Sequence, residues 1–66
     1  MNVTVNGETR DIASDATVMA LIRELRLKPE LVAAQLNDII LTREEFDETA
    51  LAESDVLELI RIVGGG

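Results

Sequence analysis

The chain has 66 residues, 6 Lys plus Arg against 13 Asp plus Glu for a formal net charge of -7, and 47% hydrophobic residues. That length allows one small domain with one core; the apolar fraction is too high for a disordered chain, and no apolar run reaches the ~18 residues of a membrane span. Having no His and no Cys, the chain lacks a disulfide framework, a metal site of the usual zinc ligands and a Ser-His or Cys-His nucleophile pair, and its acidity disfavours nucleic acid and suits a basic protein partner.

Met1 to Asn6 alternates apolar and polar residues, the period of a half-buried strand, and without a basic start or long apolar core it is not a secretory signal. Cytoplasmic residence is the expectation. Asn6-Gly7 supplies the two positive φ angles of a type I′ turn, so Glu8 to Ala13 is expected to return as an antiparallel strand, polar enough for an edge. Ser14, Asp15 and Thr17 are candidate N-caps for an amphipathic helix carrying Val18, Leu21, Ile22 and Leu25 at helical spacing. Arg23, Arg26 and Lys28 load its C-terminal end and Pro29 stops it, predicting about three turns.

Val32 to Asn37 and Ile39 to Leu41 read as two short strands about a tight turn. Thr42 with Glu45 fits a capping box, Leu41 is placed to staple onto Phe46, and a single helical turn is expected there. Glu44, Glu45, Asp47 and Glu48 offer carboxylates for a metal or acid-base site, but read more simply as the solvated acidic first turn of that helix. Glu53-Ser54-Asp55 is a polar turn, and Val56 to Val63 is a mostly apolar run, rich in β-branched residues as expected of a central strand.

These elements bury their apolar stripes if one sheet packs across one helix, a two-layer α+β domain over residues 1–63 with the first and last strands parallel at its middle. Residues 64–66 are expected to form a flexible Gly tail. Parity along the last strand sends Leu57 and Leu59 to the helix and Val56, Glu58, Ile60 and Ile62 to the open face. That face reads either as a partner-binding surface or as ordinary surface isoleucines. Gly64, Gly65 and Gly66 contribute no packing, yet as a backbone without Cβ atoms they extend about 10 Å into a narrow cleft and end in a carboxylate. The same composition also suits a frayed end or a linker remnant.

Val5-Asn6-Gly7-Glu8, Thr17-Val18 with Leu21, Leu36-Asn37, Arg43 with Phe46, Asp55 and the terminal Gly65-Gly66, in this order and in a chain of this length, resemble the ThiS family of thiamine-biosynthesis sulfur carriers. These are ubiquitin-like β-grasp proteins related to the molybdopterin-synthase small subunit. The resemblance implies a mixed five-stranded sheet on one helix with a short extra helical turn. It also implies a carrier, not an enzyme, whose Gly66 carboxylate becomes an acyl adenylate and then a thiocarboxylate that donates sulfur for thiazole formation. No cofactor is bound; ATP is consumed by a partner. The partners implied are an E1-like adenylyltransferase of the ThiF type, a persulfide-bearing sulfur donor and a thiazole synthase of the ThiG type, with neither nucleic acid nor membrane involved. A ubiquitin-like modifier, or a carrier serving molybdopterin or another sulfur pathway, shares this outline.

Overall fold

A computed structural model describes residues 1–62. The tail expected at Gly64, Gly65 and Gly66, and the last residue of the expected 1–63 domain, lie outside the described residues. The sheet contains β1 (Asn2–Val5), β2 (Glu8–Asp11), β3 (Val32–Leu36), β4 (Ile39–Leu41) and β5 (Val56–Arg61), in the order β2-β1-β5-β3-β4. One helix, α1 (Val18–Glu24), packs across it, and short 3₁₀ turns span Pro29–Leu31 and Arg43–Glu45. This is the expected β-grasp arrangement, with β5 central, parallel to β1 and antiparallel to β3.

Both hairpins close as their sequences require. Asn6 and Gly7 sit at φ 50 and 84, Asn37 and Asp38 at φ 48 and 72, so each turn has the paired positive angles that match the twist of its flanking strands. β4 has the expected bounds, whereas β1, β2 and β3 are shorter than the alternation suggested. β2 stops at Asp11 and leaves Ile12 to turn into the core, its N–H donating to the Met1 carbonyl at 2.8 Å.

The helix departs most from expectation, with seven residues where about three turns were predicted. Its end is set before Pro29. Arg26 enters the left-handed region at φ 61, its N–H donating to the Arg23 carbonyl at 2.9 Å while the Leu27 N–H reaches the Ile22 carbonyl at 3.1 Å. This is a Schellman closure with arginine in the position usually held by glycine. Leu25 is therefore a cap, only partly buried, and Pro29 opens the following 3₁₀ turn.

The core gathers Val3 and Val5 of β1, Val18, Met19, Leu21 and Ile22 of α1, Val32 and Ala34 of β3, and Leu57 and Leu59 of β5. Phe46 and Leu51 close it from the segment after β4. That segment also answers a backbone demand. The first N–H groups of a helix have no partner within it. Here Val18 donates to the Thr49 carbonyl at 3.0 Å, Met19 to the Phe46 carbonyl at 2.9 Å, and Ala20 to the Thr17 hydroxyl at 3.1 Å. Residues 46–51 therefore anchor the helix start as well as filling space beneath it.

Candidate functional site

Alternation along β5 places its side chains as parity predicts: Leu57 and Leu59 are buried, whereas Val56, Ile60 and Ile62 are 45%, 59% and 50% exposed, and Glu58 is exposed between them. One helix covers one face of the sheet. Residues paired across strands share a face, so the register extends this open surface. Ala33 lies opposite Ile60, Gln35 lies between Glu58 and Ile40, and Thr4 lies opposite Val56. Ile40, 75% exposed, was not assigned to this surface from the sequence. Its parity within a three-residue strand has no meaning until the β3–β4 register is known.

The strand side chains of this face carry charge of one sign, and one of them, Asp11, is paired with the Met1 ammonium at 3.3 Å. Asp11 opposite Asn2, and Glu58 opposite Gln35, lie on it, whereas Arg10 and Arg61 stand opposite the buried Val3 and Val32 and so belong to the other side. Among the described strand residues, the open face thus combines Val56, Ile60 and Ile40 with two carboxylates and no cation. It leads directly to the end of β5, where the Ile62 N–H still donates to the Leu31 carbonyl at 2.7 Å. Gly64, Gly65 and Gly66 follow outside the described residues. In sequence, the Gly end begins two residues after Ile62.

Glu44, Glu45, Asp47 and Glu48 are all exposed. Glu45 has a structural task, because the Thr42 N–H donates to its Oε1 at 2.7 Å. That bond, and after it the Thr42 hydroxyl, holds the Glu45 carboxyl below its ordinary value. A carboxyl whose pKa is lower folded than unfolded adds stability above the unfolded pKa and loses it as pH falls through the folded one. The Glu45 side-chain carbon followed by NMR should titrate at lower pH in the folded chain than in a peptide of residues 40–50; equal midpoints would remove the cap. A depression of about 610 Å³ lies elsewhere, along α1 between Ala13, Ala16, Ala20 and Glu24, and is open to solvent. Among the described residues, no helix is long and apolar enough to cross a membrane.

Comparison with known proteins covers the chain nearly end to end. The family model described as "ThiS family" matches residues 3–66, Gly end included. The crystal structure of a thiamine biosynthesis protein (ThiS) from Geobacter metallireducens superposes with a TM-score of 0.85 at 36% identity, covering 100% of both chains. The sulfur carrier protein ThiS of Bacillus subtilis is 32% identical over 50 residues, 76% of each chain. A thiazole synthase of Paramagnetospirillum magneticum is 33% identical over all 66 residues, which amount to 20% of its own length.

Proposed function

Because the chain belongs to the ThiS family, we propose that it is a sulfur carrier of thiamine biosynthesis whose reactive group is the Gly66 carboxylate. The observation that carries this reading is the family match running through residue 66, so that the Gly end falls within the shared pattern. The thiazole synthase relative adds the pathway, since a segment like this chain occurs within an enzyme of that name.

The chemistry follows from the end group. A terminal carboxyl with a pKa of about 3.3–3.7 is ionised at neutral pH and is a poor electrophile. Attack of its oxygen on the α-phosphorus of ATP, on a partner adenylyltransferase, forms an acyl adenylate and releases pyrophosphate. The terminal sulfur of a persulfide then attacks the carbonyl carbon and AMP leaves. A thiol cleaves the resulting S–S bond, leaving a thiocarboxylate on Gly66 and a disulfide on the donor. Thiazole synthase takes the sulfur from there. This chain supplies no acid, base or nucleophilic side chain to these steps; it supplies the end group and the surface that delivers it. Val56, Glu58, Ile60 and Ile62, with Ile40, form that surface, the apolar residues holding the partner and Glu58 favouring a basic one.

Intact mass of the untagged chain, before and after incubation with ATP and an extract that thiolates a known carrier, tests the reading. Replacement of one oxygen by sulfur at Gly66 is expected. A persistently unmodified carboxylate overturns it, and protein adducts through Gly66 would transfer the assignment to a modifier. The docking face has its own test. Ile60→Glu adds charge at a residue that is 59% exposed, so the fold should persist while affinity for the adenylyltransferase falls about tenfold or more. Unchanged affinity by titration removes Ile60 from the interface.

A further inference from the structure

β1 is too short to accompany β5 to its end. The two strands pair only at Thr4 with Val56 and Val5 with Leu57, and the last backbone bond between their chains runs from the Asn6 N–H to the Leu57 carbonyl at 3.0 Å. Leu59 then meets a side chain in place of a strand. The Leu59 N–H donates to Asn6 Oδ1 at 2.8 Å, and Asn6 Nδ2 donates to the Leu59 carbonyl at 3.2 Å. A primary amide presents the same acceptor and donor as a peptide group, so Asn6 completes the ladder for one more residue. On the other edge, β3 and Leu31 follow β5 through Ile62.

We propose that Asn6 is a positioning residue for the chain end: it holds both sides of β5 fixed as far as Leu59 and thereby steadies the strand end, through Ile62, from which the chain continues. This rests on the reading that Gly66 is the reacting group. The side-chain hydrogen bonds of Asn6 go to the Leu59 backbone. Its effect runs through Leu59, because releasing one edge of the strand lets residues 59–62 swing about the remaining β3 edge. Ordering that segment must then be repeated each time a partner captures the tail. The left-handed angle of Asn6 allows asparagine to serve at once as turn residue and as brace.

A matched control exists at the opposite end of β5. Asn37, also left-handed at φ 48, accepts the Val56 N–H on Oδ1 at 2.9 Å and donates through Nδ2 to Asp55 at 2.9 Å. It braces where the strand starts, away from the exit.

Asn6→Gly and Asn37→Gly remove these amides while keeping a residue that tolerates positive φ. Both should fold and lose some thermal stability. In Asn6→Gly, amide exchange at Leu59 should accelerate, and the KM for the carrier in pyrophosphate release by the adenylyltransferase should rise about tenfold with kcat nearly unchanged, the effect of ordering one or two backbone residues. In Asn37→Gly both quantities should stay at their wild-type values. Unchanged exchange at Leu59 in Asn6→Gly overturns the brace. Faster exchange with unchanged KM overturns its role in positioning, and an equal rise in KM for Asn37→Gly reduces the effect to stability. Wild-type chain that releases no pyrophosphate would overturn the Gly66 reading instead, and the exchange comparison would still decide whether Asn6 holds the exit.

Discussion

Deleting Gly66 is expected to leave the domain folded while lowering activation of the chain end by about 100-fold or more. The two halves of this expectation come from different parts of the chain. Among the described residues, every buried hydrophobic side chain lies between Val3 and Leu59, and β5 ends at Arg61, so the deletion removes none of that core. It does shorten the reach of the terminal carboxylate by about 3.3–3.6 Å. Misplacement by 1 Å is enough to cost on the order of 100-fold when reacting atoms must be held in line. The remaining Gly65 carboxylate is chemically equivalent, so any loss reports position. The measurements are far-UV circular dichroism with a thermal midpoint, for the fold, and pyrophosphate release by the adenylyltransferase with ATP, for activation. Full activation of the shortened chain would show that position 66 is not the reacting end.

The parts of this molecule that were legible in sequence are those fixed by local chemistry. Asn6-Gly7 and Asn37-Asp38 announce their turns because few residue pairs accept two positive φ angles, and both turns form. Parity along β5 separated Leu57 and Leu59 from Val56, Glu58, Ile60 and Ile62 because a strand has a period of two and one helix covers one face. The early end of α1 was hidden for the opposite reason. Arg26 occupies a left-handed position without the glycine that would mark it, so Pro29 drew attention further along the chain. Residues 46–51 show no periodicity, since much of their work is done by the Phe46 and Thr49 carbonyls meeting helix N–H groups, and carbonyls leave no trace in sequence. At the candidate site, Ile40 joins the face only through the β3–β4 register, and Asn6 reaches Leu59 across 53 positions. Such relations belong to the topology and follow only once it is known.

Phe46→Ala should be the most damaging single truncation in the domain. Phe46 is 1% exposed and is the largest of the fully buried side chains. Truncating a buried Phe costs about 3–5 kcal/mol. A domain of this size holds in total about 3–10 kcal/mol, from roughly 0.05–0.15 kcal/mol per residue, so this one change removes from a third to all of it. Leu59→Ala, at a residue 7% exposed, should cost about 2–5 kcal/mol. The substitution at position 46 keeps the backbone carbonyl that accepts the Met19 N–H, so the helix start loses its support only if the segment itself moves. Urea unfolding monitored by circular dichroism measures the effect, with Phe46→Leu as the partial restoration. A loss below about 1 kcal/mol would fall outside the range for a buried aromatic and contradict the packing described. The consequence for function has the opposite signature from the Gly66 deletion. Phe46→Ala should lower activation only in proportion to the fraction unfolded, and conditions that restore folding, such as lower urea or a stabilising salt, should restore it. The shortened chain, fully folded from the outset, has nothing for such conditions to restore.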